Sequence, residues 1–178
     1  RGGNMVLFMG RQQFDQAAGK WSRTSFIASV DPAGKQVTEY ASKTKEINMA
    51  AALMDDAAWG TFERRWEVGP DGKVYACKSY DNYEITVWDK SGKVDKVVTR
   101  DYKHIARSAK EKDFMNKMMG HWAQMIPNCK VNIHDMTKDI ENIYVRDDGS
   151  IWVLSSAGAR NLAKGTLGTF DVFNPQGQ

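Results

Sequence analysis

The residues of this chain that could do chemistry are three histidines, two cysteines and a series of Asp-Gly turns. His104, His121 and His134 are too far apart in the sequence to form a local metal motif. Turns such as PDGK and DKSG offer carboxylates to calcium, but they lack the alternating oxygen ligands and the bidentate Glu of an EF-hand loop. We interpret the histidines as surface or loop residues and the Asp-Gly pairs as hairpin turns. No metal and no cofactor are therefore expected.

The sequence contains no motif typical of a known catalytic site. It has no GxSxG elbow, no HExxH helix, no GxxxxGK phosphate loop and no CxxC pair. Cys77 and Cys129 are the only cysteines, which excludes a disulfide-rich scaffold and a four-thiolate zinc site. We predict two buried free thiols, and a single disulfide between them is the alternative for an exported protein. These absences favour a non-catalytic protein.

The composition is that of an ordinary folded domain. Of the 178 residues, 42% are hydrophobic and 26% are charged, which argues against disorder. No apolar run approaches the roughly 18 residues needed to cross a bilayer, so no membrane span is expected. The net charge is only +3 and the basic residues are scattered along the chain. This pattern argues against a nucleic-acid partner.

Three segments of the chain share one order of parts, in which a glycine turn and a strand are followed by a polar connection, a second strand and a second turn. The first turns align Gly3, Gly72 and Gly149, and the second turns lie in SFIASVDPAGKQV, YEITVWDKSGKV and TFDVFNPQGQ. In the second turns, we expect Asp or Asn to bond its own backbone and Gly to take a positive φ. The pattern predicts hairpins of the longer-loop kind.

The strands of the middle segment are apolar on both faces. Val74 and Ala76 point opposite to Tyr75 and Cys77, because successive side chains of a strand alternate between faces. The strand that follows, YEITVW, also has apolar residues at positions that point to each of its two faces. Both faces of this antiparallel sheet are therefore expected to be buried, as they would be in a stack of blades.

Two insertions separate these segments, at about 46–62 and 101–138. The first is rich in Ala and Met and is expected to be partly helical. The second contains a predicted helix over 107–125, in which Ser108 and Glu111 form a capping box. Five apolar side chains are predicted to share one face of this helix and to cover the protein's own sheet, with docking of another protein as the alternative. They are Phe114, Met115, Met118, Met119 and Trp122.

The middle segment, VGPDGKVYACKSYDNYEITVWDKSGKV, resembles an NHL-type repeat. The third segment, DDGSIWVL with GTFDVFNPQG, resembles the same repeat with a longer middle connection. The whole chain is similar to bacterial six-bladed β-propeller proteins of the NHL/TolB-like kind. The residues of the middle segment that match the repeat are Asp71, Gly72, Val74, Tyr75, Asp81, Asn82, Ile85, Asp89 and Gly92.

The resemblance implies an all-β fold, in which this chain covers two to three blades of a six-bladed β-propeller and carries a helical insertion. The blade-like units lie at about 1–45, 63–100 and 139–178 of a single propeller segment, 1–178. They repeat at intervals longer than the roughly 40 to 50 residues of a usual blade. Closure of a ring needs about four to eight blades, so the segment is expected to be incomplete at both ends. Its expected partner is the remainder of the propeller or another protein chain.

The resemblance also implies a function and a location. We hypothesise a non-catalytic module that binds a protein, or a small ligand at the propeller axis. One alternative is a lactonase-like propeller hydrolase or lyase whose catalytic groups lie on other blades, and another is a structural subunit of a multi-protein assembly. A periplasmic or extracellular location follows from the same likeness.

The resemblance also implies binding residues, because ligands of such rings usually contact the loops on one face around the axis. An aromatic side chain beside charged ones is a reasonable contact surface. For Asp81 and Asn82, the alternative is that they only satisfy the backbone of their own loop. The residues predicted to bind are Lys78, Tyr80, Asp81, Asn82, Tyr83, Arg23 and Arg160, with no catalytic residue and no metal ligand.

Overall fold

The computed structural model describes residues 3–59, 62, 64–160 and 162–178. It is mostly β structure, with 44% of it in strands and few helices, as the sequence predicts. The strands are β1 (Met5–Asp15), β2 (Lys20–Val30), β3 (Gln36–Asn48), β4 (Leu53–Asp55), β5 (Trp66–Val68), β6 (Val74–Ala76), β7 (Glu84–Trp88), β8 (Val94–Thr99), β9 (Lys130–Asn132), β10 (Ile140–Val145), β11 (Ile151–Ser155) and β12 (Phe170–Phe173). The helices are a 3₁₀ turn (Met49–Ala51), α1 (Asp56–Trp59) and α2 (Ala109–Ala123).

Three antiparallel sheets form the scaffold. Strands β1–β3 form the first, β5–β8 the second and β10–β12 the third, each with its strands in sequential order. The first sheet reaches Asn48 and so extends beyond the predicted unit 1–45. Strand β4 pairs in parallel with β9 and thereby joins the two insertions. Over the described residues no closed barrel or propeller is identified, and none of the helices found there is long and apolar enough to cross a membrane.

The second turn of each unit has the predicted chemistry. In the turn after β7, Asp89 Oδ1 accepts hydrogen bonds from the backbone N–H groups of Ser91 at 2.9 Å and Lys93 at 3.1 Å. Gly92 in that turn has a φ of 87°, which favours glycine. The turns after β2 and β12 use the same bonds, headed by Asp and Asn respectively. The prediction of Asp- or Asn-headed turns is confirmed, and the turns after β2 and β7 join antiparallel strands as hairpins.

The inner strands β6 and β7 of the sheet β5–β8 are buried on both faces, as their alternation predicts. Val74 and Ala76 pack in a core shared with the sheet β1–β3. Tyr75 and Cys77 point the other way, into a core shared with the sheet β10–β12. Burial of each large apolar side chain stabilises the fold by about 1.5–3 kcal/mol, so the two cores hold the three sheets together. The second core also contains Tyr83, Ile85, Val87, Val98, Ile140, Ile143, Ile151, Val153 and Phe173.

Helix α2 begins at the predicted capping box. Ser108 Oγ accepts from the backbone N–H of Glu111 at 3.3 Å, and Glu111 Oε2 accepts from the backbone N–H of Ser108 at 2.7 Å. These two bonds satisfy N–H groups that have no partner inside the helix. The first insertion is partly helical, since it contains the 3₁₀ turn and α1, but both are short.

The apolar stripe of α2 divides into two faces, which corrects the prediction of one face that covers a sheet. Met119 and Ala123 are buried against β4 and β9. Phe114, Met118 and Trp122 precede the partly buried Met115 and the buried Met119 and Ala123 by one residue, and they are 64%, 42% and 56% exposed. A step of one residue turns a helix by about 100°, so the two rows cannot face the same neighbour. The exposed row is left open to a ligand or partner.

Both cysteines are free thiols. The Sγ of Cys77 is buried and donates to the carbonyl oxygen of Ser79 at 3.2 Å. Burial raises the pKa of the Cys77 thiol. Cys129 is partly exposed, so only one of the two thiols is buried as predicted.

Candidate functional site

A groove of about 890 Å³ runs along α2. Its volume lies in the range of about 300–1,000 Å³ that is usual for small-molecule sites. From Phe114 to Trp122, the helix provides an apolar wall about 12 Å long, at 1.5 Å per residue. The apolar lining consists of Met54, Phe114, Met115, Met118, Met119 and Trp122.

The rest of the described groove lining is mostly charged, and cations exceed anions in it. Three cations are paired within the groove, where Arg107 contacts Asp56, Arg160 contacts Glu111, and Lys138 lies 2.9 Å from Glu141. Each of the three anions in the described lining therefore has a cationic partner within the groove. The cationic lining residues are Arg23, Arg107, Lys110, Lys138 and Arg160, and the anionic ones are Asp56, Glu111 and Glu141.

A buried polar network fixes one side of the groove. The side chains of Asp56 and Arg107 are only 1% and 9% exposed, and they form an ion pair. Arg107 Nη2 donates to the hydroxyl oxygen of Tyr80 at 2.6 Å. The Tyr80 hydroxyl lies 3.3 Å from Asp56 Oδ2 and 3.1 Å from the carbonyl oxygen of Met136, either of which can accept its proton. Burial and the Asp56 charge raise the pKa of Tyr80, so the phenol stays protonated. The network ties α1, the loop after β6 and the residue before the α2 cap together.

A smaller pocket of about 530 Å³ adjoins the network, and Tyr80 lines both cavities. Its lining has residues of both charge signs and comes from β3, the loop after β6 and both insertions. The residues concerned include Lys43, Asp55, Lys78, Ser79, Asp81 and His134.

Asp55, Asp56 and His134 form the acidic and imidazole cluster beside this pocket, with one ligand atom of each lying within 4.8 Å of the others. Asp55 Oδ2 accepts from Asn132 Nδ2 at 2.8 Å and lies 3.2 Å from His134 Nε2. Burial raises the pKa of Asp55, but the hydrogen bonds from Asn132 and His134 outweigh burial and hold that pKa below its ordinary value. Asp56 is paired with Arg107. Protein groups thus already satisfy both carboxylates.

Five of the seven residues predicted to bind line these two cavities. The groove contains Arg23, Tyr80 and Arg160. The smaller pocket contains Lys78, Tyr80 and Asp81. Tyr80 connects the two groups, because it lines both cavities.

The other two predicted residues lie elsewhere. Asn82 is exposed, and its Nδ2 donates a long bond of 3.4 Å to Glu84 Oε2. Tyr83 is 2% exposed, and its hydroxyl donates to Asp171 Oδ2 at 2.8 Å. Burial and the bond to Asp171 raise the pKa of Tyr83. Tyr83 is a core residue and lines neither cavity, so its position is structural.

Sequence analysis did not identify Asp56 and Arg107 as site residues. The two lie in different insertions, and an ion pair between distant segments leaves no local pattern. The exposed row of α2 did have a signal, since Phe114, Met118 and Trp122 recur every four residues. That signal was assigned to the protein's own sheet.

A second histidine–carboxylate pair lies outside both cavities. Asp139 Oδ1 lies 2.8 Å from His104 Nδ1, and their side chains are 1% and 48% exposed. The hydrogen bond to Asp139 and its negative charge raise the pKa of His104. The other carboxylate oxygen, Oδ2, has no hydrogen-bond partner among the described residues.

We expect Asp139→Asn to lower the pKa of His104 towards the ordinary value of about 6.5. The stabilisation by this pair is present below the unfolded pKa of His104 while Asp139 is ionised, and it is lost as pH rises through the higher folded pKa of His104. An NMR titration of the imidazole measures the pKa directly. Asp81→Asn is the control, because Asp81 contributes only a weaker charge effect. If the pKa of His104 fell equally in both variants, the shift would be caused by the negative charge of nearby carboxylates rather than by the hydrogen bond to Asp139.

The fold and the groove are defined by this chain's own residues. The fold has three antiparallel sheets and a capped helix, and the groove has apolar and cationic lining residues. Comparison of the chain with protein-family models, with curated proteins and with solved structures found no match.

Proposed function

We propose that this chain is a non-catalytic binding module whose groove along α2 accepts a small organic ligand with an apolar part. The observation that supports this function is the exposed row Phe114, Met118 and Trp122, which lies in a concave site rather than on a convex surface. A well-formed pocket with apolar walls and a few polar groups is the usual form of a ligand site. A bound apolar group would remove these side chains from water.

The polar groups of the groove favour binding over catalysis. Asp56 and Glu111 are each held by an arginine. Tyr80 has a raised pKa, so its phenolate is not formed near neutral pH. A general base needs a proton-accepting group with a pKa near the working pH and access to the substrate. The three carboxylates of the described groove lining, those of Asp56, Glu111 and Glu141, are instead engaged in ion pairs.

A β-propeller context for this module is part of the same proposal. The four-stranded meander β5–β8 packs against one neighbouring sheet on each face. A propeller blade packs in the same way between the two blades beside it. The Asp-headed turn after β7 agrees with the repeat that the sequence resembles. Further blades from the same protein or from a partner chain would complete such a ring.

The proposed function predicts that a neutral apolar probe binds in the groove. We expect Met118→Asp to weaken binding of N-phenyl-1-naphthylamine by about tenfold, because a carboxylate there must be desolvated by the bound ring. The matched control is Met125→Asp, since Met125 is 63% exposed and does not line the groove. Fluorescence titration gives the dissociation constants, and circular dichroism verifies that both variants are folded. The proposal fails if the probe does not bind the wild type, or if both variants lose the same affinity.

A further inference from the structure

Along α2, the groove lining is charged in the first turn of the helix and apolar in the turns that follow. Lys110 lies in the first turn of the helix, where Arg160 also contacts Glu111. The apolar row Phe114, Met118 and Trp122 occupies the following turns. From Lys110 to Trp122, the helix spans roughly 18 Å. A ligand that extends along this helix therefore meets a charged region and then an apolar one.

The charged end has a cation whose charge no anion of the groove offsets. Lys110 is exposed, and no ion pair joins it to a residue in the described part of the chain. The other cations near the start of α2 differ, because Arg107 pairs with Asp56 and Arg160 pairs with Glu111. Those pairs cancel their own charges. A ligand bound at this end is thus exposed to a positive potential that favours an anion.

We infer that the ligand of this groove is a free amphipathic organic anion, bound with its anionic group beside Lys110 and its apolar part against Phe114, Met118 and Trp122. This inference rests on the proposed binding function and adds the chemical class and the direction of the ligand. A carboxylate, sulfonate or phosphate ester would form a charge-assisted hydrogen bond to the Lys110 ammonium. The groove volume of about 890 Å³ suits one small molecule rather than a bilayer surface.

Two probes with one skeleton separate the anionic group from the apolar part. N-phenyl-1-naphthylamine is neutral, and 1-anilinonaphthalene-8-sulfonate is the same molecule with a sulfonate. We expect the sulfonate to bind the wild type about three- to tenfold more tightly, as a partly exposed ion pair allows. This preference should shrink as salt is raised, because salt screens the interaction with Lys110. Fluorescence titrations of both probes at low and high salt measure it.

The variant that tests the orientation is Lys110→Gln. We expect it to remove the preference for the sulfonate and to leave the affinity for the neutral probe unchanged. Lys117→Gln is the matched control, because Lys117 has the same charge on the same helix, is paired with Asp113 and does not line the groove. The control should keep the wild-type preference. Glutamine is a good helix former, so both variants should retain α2, which circular dichroism verifies.

The outcomes separate this inference from the proposed function. Equal binding of the two probes by the wild type, or equal losses in Lys110→Gln and Lys117→Gln, overturns the inference and leaves the binding function intact. If neither probe binds, both are overturned. Sedimentation with vesicles of phosphatidylglycerol tests the membrane as the source of the anion. We expect the protein to stay in the supernatant, and co-sedimentation would overturn the assignment to a free ligand.

Discussion

Replacing Asp56 with Ala should lower the free energy of unfolding by about 3–5 kcal/mol. Asp56 and Arg107 are both buried, and their ion pair also contacts the Tyr80 hydroxyl. The substitution leaves the guanidinium of Arg107 out of water without its counter-charge, and that cost is larger than the net stabilisation by the intact pair. Urea denaturation followed by far-UV circular dichroism measures the change.

Two further variants distinguish an unpaired buried charge from a general loss of packing. The double variant Asp56→Leu, Arg107→Met removes both charges and should recover a large part of the loss. Asp113→Ala removes an exposed ion pair with Lys117 on α2, and it should change stability by no more than about 0.5 kcal/mol. A loss below about 1 kcal/mol for Asp56→Ala, or a double variant no more stable than the single one, would contradict a buried pair.

The parts of the fold that could be predicted depend on local patterns. The turn at Asp89 and Gly92 follows from the short side chain of one residue and the absence of Cβ in the other. The burial of both faces of β6 follows from apolar residues at successive positions, since Val74 and Tyr75 point in opposite directions. The capping box of α2 is likewise contained within four residues. In each case, the neighbours that matter are close in the sequence.

The parts that could not be predicted depend on contacts between distant segments. The parallel pairing of β4 with β9 joins two insertions, and short strands of three residues have no reliable periodicity. The division of the α2 stripe depends on where that pair lies, because only the row that contacts it is buried. The ion pair of Asp56 with Arg107 has the same origin. Periodicity identifies an apolar helix face, but it does not say which part of that face has a partner.

In the candidate site, too, local patterns could be predicted and contacts between distant segments could not. The loop after β6 was predicted as a contact surface, and it contributes Lys78, Tyr80 and Asp81 to the cavities. Tyr83 belongs to the same loop and is in the core. A tyrosine can be buried with its hydroxyl bonded or exposed at a pocket, and sequence does not separate these two states. In the groove, Tyr80 of this loop lies beside the apolar wall of α2, and sequence analysis considered the loop and the helix separately.

Replacing Ile151 with Ala should lower the free energy of unfolding by about 2–5 kcal/mol. Ile151 lies in β11 and is fully buried in the core between the sheets β5–β8 and β10–β12. The substitution removes buried methyl and methylene groups and leaves a cavity that the packed sheets can fill only in part. Val172→Ala is the control, because Val172 is 55% exposed in the adjacent strand β12, and its loss should stay near or below about 0.5 kcal/mol.

The same pair of variants tests whether the sheets unfold together. Because the sheet β5–β8 shares one core with each neighbouring sheet, loss of packing at Ile151 should reach all three. Far-UV circular dichroism and tryptophan fluorescence should then report one coincident transition, shifted to lower urea concentration in Ile151→Ala. Two separate transitions would mean that the core around Ile151 unfolds independently of the sheet β1–β3. A loss at Val172 as large as that at Ile151 would contradict the burial that places Ile151 between the sheets.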